Sequence, residues 1–276
     1  MLYAFAMSTD AKFVEQRASS IEQQLATLPG ILSTVYAKKD FRRIGNVIDS
    51  MTRLLLQQGM MAARVLGDIA AARANFAGAA GLTLEIDRAL ELVRLGTDTP
   101  APNGASFCLD AHSFELPLFA CLLAQDWPRA EAVARQALDP HVVDLLEDQV
   151  GVLMTRLLAA FVLDERTVFA AVRVPYDRFA KSMWWKHFVH YVDMYESVLE
   201  RDQVRYDDLA ASADKFYRAR ARNRTIGDFR PEYGGLAENE RMLDFIALAV
   251  AIVAVKRGMR PGKESDIVPG SLISHP

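Results

Sequence analysis

His187, His190 and Asp193, in WWKHFVHYVD, are residues of metal-binding type, each three positions from the next. On a helix each step of three turns the side chain back by about 60°, so the set fans over roughly 120° and does not converge on one ion. His112 and Glu115 form a lone His-x-x-Glu. The chain has neither the Glu-x-x-His of di-iron bundles nor the His-Glu-x-x-His of zinc peptidases. These histidines therefore read as ordinary, partly buried side chains, and no metal or other cofactor is expected. There is no Gly-x-Ser-x-Gly elbow and no Gly-x-Gly-x-x-Gly, and GMRPGKES (258–265) has a Gly-Lys without P-loop spacing or a preceding strand. The sequence thus predicts no catalysis.

The basic run YRARARNR (217–224) alternates arginine by two, which spreads the charges around a helix instead of gathering them on one face. Such a run suits a helix C-terminus, where cations offset the negative pole and pair with Glu232, Glu238 and Glu240. The other use for it is a protein interface. With net charge −3, pI near 6.0 and no aromatic residues interleaved along an identifiable groove, neither nucleic acid nor a membrane surface is an expected partner. The segment that follows carries Asp228, Arg230, Glu232, Glu238 and Arg241 around Gly234-Gly235. So many charges cannot all be buried unpaired, which makes these five the candidate partner contacts. The alternative is that the segment only caps two helices.

The elements that must hold these residues read as helices. Apolar positions recur at helical spacing over 10–28, where Pro29-Gly30 ends the pattern, and again over 40–76, with Gly59 and Gly67 as weak points. A helix over 82–95 closes at Gly96, and 97–104, with two prolines and an Asn-Gly, is a loop or a subdomain boundary. Within 111–140 two helices meet at Asp126-Trp127, with Pro128 in a first turn and Pro117 early in its helix or kinking it. Further helices are expected over 142–163, 165–172, 177–200 and 204–222, and the row Trp184, Phe188, Tyr191, Tyr195, Leu199 spaces as a core stripe. LLAQDWPRAEAVARQAL (122–138) is similar to one tetratricopeptide hairpin, and no second copy stands about 34 residues away.

No alternating Val/Ile/Thr runs mark strands. The fold class is all-α: a compact array of antiparallel helical hairpins, one domain over 1–276, around a buried helix at 242–255. The apolar run 245–255 is too short to span a bilayer, which takes roughly 20 residues. A helix apolar on every side must instead be wrapped by others. Cys108 and Cys121 read as reduced core residues, and MLYAFAMSTDAKF lacks a basic region before its apolar residues, so a cytoplasmic protein is expected.

A long aromatic-rich helix, a second helix, a glycine-bearing loop, an apolar helix ending VKRGM (255–259) and the tail ESDIVPGSLI (264–273) together resemble a known group. They are similar to the bacterial polymorphic-toxin immunity proteins of the immunity protein 49 family, and comparably to the immunity proteins that guard against PoNe-type DNase toxins. The likeness covers about the last third of the chain and rests on Arg257-Gly258, Glu264-Ser265-Asp266, Ile267-Val268-Pro269 and Leu272-Ile273. Val268 stands where an aromatic residue or leucine is more usual before the proline. The resemblance implies an all-helical protein without catalytic residues that binds and blocks a cognate toxin. The competing expectation is a helical-repeat adaptor.

Overall fold

A computed structural model describes residues 11–38, 41–96, 112–140, 149–180, 188–222 and 243–273. Among these the protein is all-α, and its one extended feature is an isolated bridge between Ser265 and Val268. In chain order the helices are α1 (Ala11–Ala37), α2 (Phe41–Met61), α3 (Ile69–Gly81), α4 (Thr83–Gly96), α5 (His112–Leu123) and α6 (Trp127–Leu138). They continue as α7 (Gln149–Leu163), α8 (Arg166–Ala180), α9 (Val189–Glu200), α10 (Gln203–Arg222), α11 (Phe245–Lys256) and the single turn α12 (Gly270–Ile273). No helix among the described residues is long and apolar enough to cross a membrane.

Two helices run on through a proline, past the ends that the sequence pattern gives them. α1 runs through Pro29-Gly30 to Ala37 because its apolar stripe does not break: Ile21, Leu25, Leu28, Leu32 and Val35 keep one face, while Pro29 and Gly30 face solvent. A proline inside a helix costs about 3 kcal/mol. Burying Leu32 and Val35 returns about 1.5–3 kcal/mol each, enough to offset it. α8 likewise continues past Val172 and through Pro175, since Phe169, Val172, Tyr176 and Ala180 form one buried face. Asp177, expected to open the next helix, belongs to α8, where Arg173 bonds it at 2.7 Å.

Of the two suspected weak points in 40–76, only Gly67 is a break. Residues Ala62–Leu66 make a π-helical turn, Gly67 takes the left-handed conformation (φ 66), and the Asp68 carboxylate accepts from Ala71 N to start α3. Gly59 lies inside α2, where a Cβ would fall 2.5 Å from the Phe76 ring of α3. Its lack of a side chain lets the two helices close on each other.

Three further hairpins share one turn. At α5–α6, α7–α8 and α9–α10 a non-glycine residue, Gln125, Asp164 or Arg201, adopts positive φ (57, 61 and 62). In each, the next residue's N–H returns to a carbonyl in the last turn: Asp126 to Cys121, Glu165 to Ala160 and Asp202 to Ser197, all at 2.9 Å. The carbonyl owners Cys121, Ala160 and Ser197 are small and fully buried, and Leu122, Phe161 and Val198 follow them into the core. The hairpin similarity seen once in the sequence therefore has two further structural copies. Their spacing differs from 34 residues and their side chains vary, so sequence comparison alone passes over them.

The first helices of these hairpins, α5, α7 and α9, lie side by side, with the Phe161 and Tyr195 rings stacked at 4.6 Å between α7 and α9. Against α5 and α9 rests α11, buried on every face from Phe245 to Ala254. Phe245 meets Phe119 of α5 edge to face at 5.3 Å. One apolar cluster runs continuously from Leu32 to Ile273 around this helix.

Candidate interaction site

Asp228, Arg230, Glu232, Glu238 and Arg241 lie outside the described residues, as do Glu240, Met242 and the loop 97–104. The segment connects α10 to α11. On one side Tyr217 and Arg218, in the last two turns of α10, are set against neighbours, and on the other Leu243 and Asp244 lead into α11.

Asp244 is the fixed post at the start of α11. It is 2% exposed. Its Oδ1 accepts from Ala247 N at 3.0 Å, capping the helix, and its Oδ2 accepts from the Tyr191 hydroxyl of α9 at 2.8 Å. Its own N–H donates to Ile267 O at 3.0 Å, which ties the helix start to the C-terminal tail. Tyr217 closes the gap to α10 by donating to Leu243 O at 3.3 Å. The tertiary pairing of Asp244 with Tyr191 was not anticipated, although an Asp directly before an apolar run is a readable cap signal.

Arg218 shows where the basic run goes. Its Nε and Nη2 donate to Asp214 at 3.0 and 3.2 Å, and Nη2 also bonds Asp266 of the tail. Asp266 in turn pairs with Arg64 of the π-turn at 2.6 Å, joining the first hairpin to the last. The acids expected as its partners, Glu232, Glu238 and Glu240, fall outside the described residues; the ones observed are Asp214 and Asp266. The Asp214 pair is an i,i+4 contact within one helix, whereas no local pattern could reveal the Asp266 contact, 48 residues away. Burial pushes the Asp214 carboxyl up, but hydrogen bonds from Arg218 and Ser265 and the charges of Arg218 and Lys263 outweigh it and hold its pKa below the ordinary value.

The remaining candidates have other roles. Asp193 accepts from Arg173 at 2.7 Å, the His190 ring lies 5.3 Å from Phe216, and His187, Trp184, Trp185 and Cys108 fall outside the described residues. Glu115 is buried, and the His112 side chain lies outside the described part of the structure. Phe188 is half-buried and Tyr191, Tyr195 and Leu199 are buried, as a core stripe requires. Cys121 is fully buried, which pushes its thiol pKa up to about 12. Among the described residues no group of three or more His, Cys, Asp or Glu is placed to hold a metal.

No family model, curated protein or solved structure matches this chain. Of the tail's motif residues, Arg257 and the apolar set Ile267, Val268, Leu272 and Ile273 are engaged within the fold. Arg257 lies across the Phe161 ring at 5.0 Å, donates to the Phe161 carbonyl and stands 3.5 Å from Asp164, which caps the end of α7. Burial draws its pKa down to about 10, with Asp164 opposing and Arg201 and Arg166 adding to the fall, so it stays charged at neutral pH. Ile267, Val268, Leu272 and Ile273 are buried, and Gln125 Nε2 donates to the Leu272 and Ile273 carbonyls at 3.1 and 3.3 Å. These residues hold the fold together and are not free for a partner.

Proposed function

We propose that this protein is an immunity factor that binds a cognate toxin by direct contact, without catalysis, in the bacterial cytoplasm. The observation that carries the reading is the setting of the charged segment 223–242. It connects α10 to α11, whose near ends are tied by the hydrogen bond from the buried Tyr217 to the Leu243 carbonyl, and the helix that follows it is anchored by Asp244. A charged connection springing from a rigid, apolar base suits recognition, because complementary charge supplies specificity and association rate once the scaffold is fixed. The tail resemblance supports the same role through fold-defining residues.

The test is co-expression with a toxin domain encoded beside this gene, followed by pull-down of wild type and an Asp228→Lys, Glu232→Lys variant. Loss of capture at an unchanged melting temperature supports the segment as the contact. Full retention moves the contact elsewhere, and the absence of any neighbouring toxin or secretion gene removes the main support.

A second reading, a helical-repeat adaptor, is favoured by the recurrent turn at Gln125, Asp164 and Arg201. In this chain, however, the face formed by α5 and α9 holds α11, so an adaptor would have to bind through another surface. The same pull-down separates the two readings, since an adaptor has no dependence on an adjacent toxin.

A further inference from the structure

Between the buried part of α11 and the buried Ile267-Val268 pair, residues 258–266 contribute no buried side chain. This stretch lies along α10 and is held to it by polar contacts. Arg260 N donates to Gln203 Oε1 at 2.8 Å, and its guanidinium pairs with Asp207 at 2.9 Å. The Tyr206 hydroxyl donates to Pro261 O at 2.9 Å, Lys263 lies 3.5 Å from Asp214, and Asp266 bonds Arg218. Gly258 and Gly262 have φ 79 and 78, conformations that other residues adopt only under strain. Beneath the stretch is a recess of about 10 Å³ lined by Met194, Tyr206, Asp214 and Asp244, with room for at most one water.

We propose that residues 258–266 form a flap, hinged at Gly258, that opens off α10 while the hairpins and α11 stay folded, with Asp214 as its catch. Apolar contacts fix both ends of the flap, Met259 against the core at one and Ile267-Val268 at the other, while ion pairs and single hydrogen bonds hold its middle; apart from those of Asp214 these pairs are exposed or half-exposed and individually weak. Asp214 is the catch because it is 7% exposed and bonds the flap twice over. It accepts from Ser265 and pairs with Lys263 directly, and it positions the Arg218 guanidinium that holds Asp266. Opening uncovers Tyr206, Ala210 and Asp214 on α10 and admits solvent to the recess.

Hydrogen exchange followed by mass spectrometry on the full chain tests this. In Asp214→Asn, peptides covering 258–266 should exchange about tenfold faster or more, while those from α5 and α11 keep their wild-type rates. Should that variant not fold, Gly262→Ala decides by the same readout without changing a charge, because its Cβ would stand 3.0 Å from the Tyr206 ring and push the flap outward. Wild-type exchange in 258–266 overturns the proposal. So does acceleration of α11 or α5 together with the flap, since the stretch would then open only when the core does.

Discussion

Residues 245–254 and 258–266 are neighbours in sequence and in space, yet they are held by opposite means. The first stretch is buried on every side and needs almost no polar contact after its Asp244 cap. The second has no buried side chain and lies on α10 through ion pairs, two backbone hydrogen bonds and glycine conformations. Burial resists opening in proportion to the area withdrawn from water, whereas half-exposed ion pairs resist little. Local stability should therefore fall sharply across Arg257, within one turn of chain.

The largest test of that contrast is Leu248→Ala, at a fully buried position of α11. It should cost about 2–5 kcal/mol and lower Tm by on the order of 10 °C. A thermal melt within about 2 °C of wild type would remove the claim that burial of α11 dominates.

Asp244→Ala comes next, with an expected loss of about 1–3 kcal/mol, because it removes both a helix cap and the buried carboxylate that accepts from the Tyr191 hydroxyl. A cycle with Tyr191→Phe should be non-additive, the double variant being more stable than the sum of the single losses indicates. Strict additivity would mean that the two side chains act apart.

Acid should act on the second stretch through Asp214. Its folded pKa is depressed, so its contribution is fully present above the unfolded value of about 3.9 and is lost as pH falls through the folded value. The Tm difference between wild type and Asp214→Asn should accordingly narrow as the pH is lowered from 5 toward about 2. A difference that widens on acidification would contradict the sign. The smallest effect belongs to Arg260→Ala. This side chain is 74% exposed in its pair with Asp207, and stability should change by about 0.5 kcal/mol or less in a denaturant melt.

Much of the fold was legible in the sequence because helical periodicity is a local property. The helix class, the hairpin at Asp126-Trp127 and the apolar helix before Arg257 follow from spacing, whereas of the weak points Gly59 and Gly67 only the second is a break, and the helix expected over 242–255 starts at Phe245, after its Asp244 cap. The misplaced boundary at Pro29-Gly30 came from weighing a local breaker above a continuous apolar stripe, and the helix given as 165–172 stops short of a buried face that runs on to Ala180. The five candidate contacts Asp228, Arg230, Glu232, Glu238 and Arg241 fall outside the described residues, so their selection stands on the sequence alone.

By itself the sequence determined that this chain is helical, that 245–255 must be wrapped by other helices, and that charge gathers in the segment before it. Each of these depends on residues within a few turns of one another. Only the tertiary structure decided which helices do the wrapping, that Asp244 bonds Tyr191 and Ile267 as well as its own helix, and that Asp266 draws Arg64 and Arg218 together. Those partners come from distant parts of the chain, and the same charged side chains would satisfy spacing and composition equally well in solvent. What selects the pairs is the burial of the helices that carry them, which brings a few donors and acceptors into register and leaves the rest in water.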